Sequence, residues 1–580
     1  MEFRSQPLSQ LAHYPAVRLV GLGFFLGLIG IISARLVLLT TLGHDDAAAQ
    51  AQENLYQQRR LTYPRGNISD RNGNVLATNK RCYAIRFSPY GQSDAVAGEA
   101  LDRLAAILGS PSQEEREKIL ATRPRWTRHL IASGLGQSDV IPFIERPRDY
   151  PGVRIQEEYA RVYEQPVDFA LIVGFVGRIQ PGQEAEFPRP RYLPDDMVGR
   201  SGIERQYQDR LAGSPGRERL QRDARGRSLA EPDVLEPSHP GEDLTLALDA
   251  RIQTVAMDLL KGHKGSIVLM DVATGEVHAM ASRPTFDATN PGAMELDGEP
   301  AGFVNLAMRG LYPPGSTLKV VSAMAALKEG VSPAERIDCR GSFLVDGWSR
   351  PFWCAHREGH GPMGMADSLK ASCNVYYYTM AKRLGPRPLF EAGREFGLGR
   401  ATGIDLPGEA GGQLSTMPNP ASGETTNLYI GQGSMLATPL QVARMYAGLA
   451  NGGVLPVPRV VIGGSAPATG GERLPMTEAQ RAEINRGLYG AVNEQGGTAA
   501  KAGIPRAWGV CGKTGTAENA TGGVDAWFAG FFPQENPRFA FAVHVEEADG
   551  HGGDVAGPIA RELIRAVLAP TDQKSVAALP

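Results

Sequence analysis

The sequence predicts an α+β protein: an αβ sandwich whose antiparallel sheet carries helices on both faces, preceded by an elongated β-rich region and one transmembrane helix. Three observations carry this. Leu19 to Ala34 (LVGLGFFLGLIGIISA) is an uncharged apolar run. From Leu61 to about His239 the composition is rich in Arg, Pro and Gly, with only short apolar runs. Beyond Pro240-Gly241, strand patterns stand at both ends of the remaining sequence, with helical spacings between them.

Sixteen helical residues span about 24 Å, short of the roughly 30 Å hydrocarbon layer. Continuing through Arg35 and Leu36 to Leu42 completes a span over residues 17–43, with Arg35 near the outer end, where its head can snorkel. No small-x-small cleavage site stands apart from the Ala-rich stretch at Ala47, so the run reads as an anchor and not a signal peptide. Arg4 and Arg18 precede it and Asp45 and Asp46 follow. The positive-inside rule then puts residues 1–16 in the cytoplasm and the bulk outside. Gly23-Phe-Phe-Leu-Gly27 matches a helix-packing pattern. With 60 basic against 63 acidic residues in 580, there is no electrostatic case for nucleic acid.

Residues 44–240 read as a spacer and docking module. Residues 44–60 suggest a helix continuing out of the membrane, Asn72-Gly73 signals a hairpin turn, and Glu114–Leu120 and Gly202–Leu211 have helical spacing. Within 241–568, a strand over Leu244–Asp249 leads to a helix over Ala250–Lys261. A hairpin over 265–282 follows, then helices at 316–329, 375–384, 388–397 and 438–451. Strands return at 508–517, 525–533 and 538–547, and a helix over Val555–Leu568 closes the region. Residues 569–580 read as a disordered tail.

Pro313-Pro314-Gly315-Ser316 introduces a helix, with Ser316 in its first turn. Residues three apart share a helix face, so Lys319 lies beside the Ser316 hydroxyl. A serine hydroxyl needs a base, and a neutral lysine serves if burial or a nearby cation lowers its pKa. Ser372-Cys373-Asn374 and Lys513-Thr514-Gly515-Thr516 follow in that order. Ser372 can relay a proton to a leaving amine, and Asn374 can hold a substrate amide and orient Lys319. Lys513 supplies a second cation, and Thr514 and Thr516 can bond a substrate carboxylate. Small Gly512 and Gly515 let an extended peptide lie along the strand edge. The backbone N–H groups of Ser316 and Thr516 suit an oxyanion hole.

S-x-x-K, S-x-N and K-T-G in this order resemble the active-site set of the penicillin-recognising serine enzymes. Residues 241–568 are similar to the transpeptidase domain of class B penicillin-binding proteins. The stretches RGNISDRNGNVLA (65–77) and GRSGIE (199–204) resemble the signatures of that family's pedestal. LYIGQG (428–433) and AWFAG (526–530) resemble further parts of its catalytic domain. No glycosyltransferase-like domain is found, which argues against class A. CAHREGHG (354–361) followed by SCNVYYY is more like the elongation type, penicillin-binding protein 2, than the division-specific type, although some elongation-type members carry Asp where this chain has Asn374. The resemblance implies a peptidoglycan D,D-transpeptidase of the bacterial inner membrane with a periplasmic catalytic domain, acting on stem peptides and inhibited by β-lactams. It implies no cofactor for catalysis. The implied partners are a multispanning glycan polymerase of the elongation complex and scaffold proteins.

Cys339, Cys354, His360 and Cys373 fall within 35 residues, and three thiolates with one imidazole make a closed tetrahedral zinc shell. His356 competes as a nitrogen ligand. A Cys339–Cys354 disulfide and unliganded buried cysteines remain open alternatives. Zinc leads, because the resemblance implies such a structural site in some elongation-type relatives. Cys511 reads as packed inside and Cys82 has no evident partner. His278 and His544 fall on strand patterns and read as structural or surface residues. The rival functions are a division-specific relative, a β-lactamase or D,D-carboxypeptidase, and a β-lactam sensor. The hydrolases need a deacylating carboxylate, and none is assignable. A sensor needs a cytoplasmic module, for which residues 1–16 are too short.

Overall fold

The computed structural model describes residues 15–37, 56–125, 127–189, 191–193, 196–221, 230–296, 298–345, 348–414, 423–464, 471–519 and 522–570. The chain divides into two compact units, one drawn from residues 1–63 and 214–239, the other from 64–213 and 240–580.

In the first unit, the helix Pro15–Val37 has 23 residues, about 34 Å at 1.5 Å per residue. It is long and apolar enough to cross a membrane from Leu19 to Val37. Arg35 lies in its last turn, and residues 38–43 of the expected span are outside the described residues. The helix expected over 44–60 is corrected at its end. Tyr56–Leu61 is a strand, paired antiparallel with Gly216–Gln221, which in turn pairs with Asp233–Glu236. Residues 44–55 lie outside the described residues.

In the second unit, the Asn72-Gly73 turn joins the strands Ile68–Ser69 and Val75–Phe87. The long strand also pairs with His129–Leu135 and Val153–Tyr163. This region holds more helix than its sequence suggests. Asp94–Leu108, Gln113–Ala121 and Gln137–Glu145 close over Ile85, Phe87, Leu101, Leu104 and Phe143. Of the strand expected over 244–249, Leu244–Thr245 pairs parallel to Ile68–Ser69 and Leu246 bridges antiparallel to Val461. Below these strands lies a buried ionic cluster. Arg65 and Arg161 both donate to the Glu204 carboxylate, at 2.5 and 2.7 Å. Removing one partner of a buried cluster leaves uncompensated charge and costs about 3–5 kcal/mol. Glu204→Ala is therefore expected to lower the thermal unfolding midpoint clearly, with Glu204→Gln less damaging.

The catalytic region runs α1 (Ala250–Leu259), β1 (Gly265–Asp271), β2 (Val277–Arg283), α2 (Lys319–Lys328), α3 (Asn374–Leu384), α4 (Pro439–Ala450), α5 (Glu478–Asn493), β3 (Cys511–Glu518), β4 (Val524–Phe532), β5 (Phe539–Val545) and α6 (Ala556–Leu568). The sheet order is β2-β1-β5-β4-β3, every pair antiparallel. Alternate residues face opposite sides of a strand. Ile267, Leu269, Phe528, Phe541 and Val543 therefore pack with α1 and α6. Val268, Met270, Trp527, Phe531 and Ala542 join the core that holds α2, α3 and α4. The sandwich is thus covered on both faces, and β3 is an edge strand. The Asn72 hairpin reaches this domain. Ala250 N–H donates to Asp70 Oδ2 at 3.0 Å, and Arg71 N–H donates to Leu248 O at 3.0 Å.

Candidate active site

Gly315, with φ of +54°, turns the chain after Pro314 into a 3-10 turn over Gly315–Leu318 that continues into α2. Side chains three apart on a 3-10 turn eclipse one another. Lys319 therefore stands over Ser316, and its backbone N–H donates to Ser316 O. Ser316 keeps partial exposure, whereas Lys319 is wholly buried. Lys319 Nζ donates to Ser372 O at 2.8 Å, to Ser372 Oγ at 3.1 Å and to Asn374 Oδ1 at 2.7 Å. The first two motifs, more than fifty residues apart in sequence, are thus joined through one amine.

Ser372 adopts φ of +54°, a left-handed conformation that non-glycine residues rarely hold. It sits between the short helix Met365–Lys370 and α3, and Cys373 N–H donates back to Ser368 O at 2.9 Å. That turn aims both the Ser372 hydroxyl and its carbonyl at Lys319. Asn374 is held from the other side, because its Nδ2 donates to Trp353 O at 3.2 Å.

The third motif is on the edge strand β3. Lys513 is fully buried and its Nζ donates to Thr514 O at 2.9 Å. A Cβ added to Gly315 would lie 2.9 Å from Thr516 O, so the nucleophile turn packs directly on this strand. Gly431 has φ of +76°, and a Cβ there would lie 2.0 Å from Gly315 O. Gly315 N–H donates to Gly431 O at 2.9 Å, and Gln432 Nε2 donates to Thr516 O at 3.1 Å. The LYIGQG segment therefore clamps the turn to β3. The Thr514 hydroxyl is bonded to Thr498 Oγ1 at 2.8 Å, and Thr516 Oγ1 accepts from Gly552 N at 3.3 Å. Sequence reasoning missed Thr498 and Gly552. Both come from loops with no local signature, brought to β3 by α5 and α6.

Burial lowers Lys319 to about 8, against an opposing pull from Cys373 and Cys354. Burial, and then the Lys319 charge, drive Lys513 well below its ordinary range. Burial and a nearby cation are the two routes open for lowering Lys319, with Lys513 as the cation. Desolvation is the leading cause at Lys319, and the repulsion between the two ammonium groups, which appears at Lys513, is mutual.

Beside Asn374, one donor atom each from Cys339, Cys354, His360 and Cys373 lie within 4.8 Å of one another. Cys339 Sγ and Cys354 Sγ are each 3.5 Å from His360 Nδ1, and all three cysteines are buried. Thiolates at 2.3 Å from a tetrahedral zinc are roughly 3.8 Å apart, so the set fits that ion. His356 stands outside the four, its ring centroid 5.1 Å from that of His360. All five cysteines are free thiols in this structure. His278 and His544 are both buried, so neither is a surface residue.

Comparison with known proteins agrees with this geometry. Residues 265–565 match the penicillin binding protein transpeptidase domain, and residues 61–246 match the penicillin-binding protein dimerisation domain. The peptidoglycan D,D-transpeptidase MrdA of Acinetobacter baumannii is 31% identical over 576 residues, covering 91% of this chain and 84% of that protein. The complex between PBP2 and MreC from Helicobacter pylori superposes with a TM-score of 0.76 at 25% identity, covering 88% of this chain and 99% of that one. A peptidoglycan synthase complex, described as coordinating polymerization and crosslinking, superposes with a TM-score of 0.70 at 28% identity, covering 96% and 100%. The chain belongs to the penicillin-binding protein transpeptidase family, as a class B penicillin-binding protein of the MrdA (PBP2) type.

Proposed function

We propose that this peptidoglycan D,D-transpeptidase cross-links stem peptides during cell-wall elongation through an acyl-enzyme on Ser316. The observation that carries the reading is the buried Lys319 amine, one turn from Ser316 and hydrogen-bonded to Ser372 and Asn374. Neutral Lys319 takes the Ser316 proton as Oγ attacks the penultimate D-Ala carbonyl. The oxyanion faces the backbone N–H groups of Ser316 and Thr516. The C–N bond then breaks, and the proton returns from Lys319 through Ser372 to the departing D-Ala amine. An amine of a neighbouring stem attacks the ester, loses its proton along the same path, and restores Ser316. Asn374 orients Lys319 and holds the donor amide. Lys513, Thr514, Gly515 and Thr516 take the donor's terminal carboxylate and backbone along the open edge of β3. A β-lactam follows the same first step, but its leaving nitrogen stays tethered. The likeness to MrdA favours elongation over the division-specific alternative.

Cys339, Cys354, His360 and Cys373 would hold a structural zinc that contributes no step to the chemistry. The helix Pro15–Val37 would anchor the chain with residues 1–16 cytoplasmic, 44–240 as a periplasmic pedestal and 241–568 as the catalytic domain. A Cβ at Gly23 or Gly27 would meet nothing within 4 Å. That open face suits contact with a multispanning glycan polymerase, and the likeness to the PBP2–MreC and synthase complexes supports polymerase and scaffold partners. The test is to react the full-length protein with penicillin and map the adduct by mass spectrometry. The adduct is expected on the peptide containing Ser316. An adduct elsewhere, or rapid release of hydrolysed drug, contradicts the assignment.

A further inference from the structure

Strand register lays one row of residues across the catalytic sheet, Ser282–Ser266–His544–Trp527–Gly515, each opposite the next on β2, β1, β5, β4 and β3. Directly opposed residues in antiparallel pairs share a face. The row therefore runs under the nucleophile turn and ends at the glycine of the third motif. A Cβ on Gly515 would lie 2.9 Å from Trp527 Cβ and 3.1 Å from Pro314 O. The Trp527 indole N–H donates to Pro313 O at 3.1 Å.

His544 is the centre of this row. It is fully buried, with its ring centroid 3.9 Å from that of Tyr312 and 4.3 Å from that of Trp527. Tyr312 begins the nucleophile segment. Its backbone pairs with Ala437, and its hydroxyl donates to Glu546. His544 Nε2 lies 3.3 Å from Asp525 Oδ2, and Asp525 is itself 1% exposed. Asp525 also accepts from Asn519 Nδ2 at 3.1 Å and Glu547 N at 3.3 Å. An ionised carboxylate only accepts, so the His544 proton belongs on Nε2. Nδ1 is then an acceptor. Among the described residues, His544 Nδ1 and the Ser266 hydroxyl are both buried without a hydrogen-bond partner, on residues that stand directly opposite in the register of β1 and β5. One is an acceptor, the other a donor, and neither is served elsewhere.

We propose that Ser266, His544 and Asp525 act as one buried array that positions the nucleophile turn, with Ser266 O–H serving Nδ1 and Nε2–H serving Asp525. The array fixes the imidazole plane, and the imidazole packs against both the Tyr312 and Trp527 rings, which also meet each other edge-on. The Trp527 indole holds Pro313 O, and so sets the approach of Ser316 Oγ toward the oxyanion-hole edge of β3. All three are positioning residues, with no contact to substrate. The proposal rests on Ser316 being the nucleophile.

The test uses full-length protein in detergent and separates penicillin binding from the acylation step by rapid kinetics. Misplacing a reacting group by about 1 Å costs up to ~100-fold. Ser266→Ala and His544→Phe are expected to slow acylation by about tenfold or more, while the dissociation constant of the unreacted complex changes less than about twofold. His544→Phe keeps a ring against both Tyr312 and Trp527, so loss of aromatic packing is not the cause. Nitrogen-15 labelling of histidine gives a readout independent of activity. His544 is expected in the Nε2–H form, with an Nδ1 resonance that moves in Ser266→Ala. Unchanged acylation in both variants, or an Nδ1–H tautomer, overturns the proposal. If His544→Phe does not fold, Ser266→Ala and the resonance decide. Failure of wild-type protein to label at Ser316 would sink the functional reading instead and leave the tautomer result standing.

Discussion

Lys319→Ala is expected to slow acylation by penicillin by about 10³-fold or more, and Lys319→Arg by nearly as much. A positioned base contributes about 10²–10⁴-fold, and this amine also ties Ser372 to Asn374. Arginine keeps the positive charge but does not lose its proton in a protein. Equal loss in both variants therefore identifies base catalysis, whereas near-full activity in Lys319→Arg would leave only an electrostatic role. Ser316→Ala should form no adduct at all. The sign of the pH dependence follows from the same group. Burial lowers Lys319 to about 8, so the neutral, proton-accepting form grows as pH rises through that value. Acylation should climb about tenfold per unit below roughly pH 7 and level off above roughly pH 9. A profile that falls over this range would mean that the protonated amine is the active form. Stopped-flow acylation from pH 6 to 9.5 distinguishes the two.

The three motifs were legible in the sequence because each sits on a strong local signal. Pro-Pro-Gly announces the turn before Ser316, an aromatic helix follows Asn374, and glycines flank Lys513 on a strand. What joins them was not legible. The left-handed turn at Ser372 has no glycine to mark it, and Thr498 reaches Thr514 only because α5 delivers its loop there. Helix α5 itself went unread, although Thr477 and Gln480 form a capping box at its start. Residues Asp94–Leu108 were missed likewise, despite a Ser93 cap and a left-handed Gly109 at the end. Tyr56–Leu61 shows the opposite failure. Its polar sequence favours a helix, but pairing with Gly216–Gln221 decides the outcome, and that partner is far along the chain. The row through His544 is the extreme case, since it exists only as a register across five strands.

Removing metal is expected to lower the thermal midpoint by about 5 °C or more and to slow acylation about tenfold, with both restored by added zinc. The lobe between Ile337 and Met363 carries little regular structure and is held otherwise by packing of Phe343 and Phe352 on Tyr378. Its two ladders pair only Ile337–Cys339 with Gly361–Met363 and Ser342–Phe343 with Phe352–Trp353. Ladders this short are marginal alone. Cys339 and His360 stand at the ends of the first ladder, Cys354 follows the second, and Cys373 lies between Ser372 and Asn374. A single ion bound by all four would therefore fasten the lobe to the second catalytic motif. Among the contacts that run on from it are those of Asn374, whose N–H donates to Cys354 Sγ at 3.4 Å and whose amide donates to Trp353 O. Loosening the lobe frees Asn374, and with it one of the three acceptors that orient Lys319. Elemental analysis of protein purified without added metal should find about one zinc per chain. His360→Ala and Cys339→Ser should bind less and behave like chelated wild type. Metal-free protein with full stability and full acylation would reject the zinc site while leaving the assignment of Ser316, Lys319 and the sheet edge untouched.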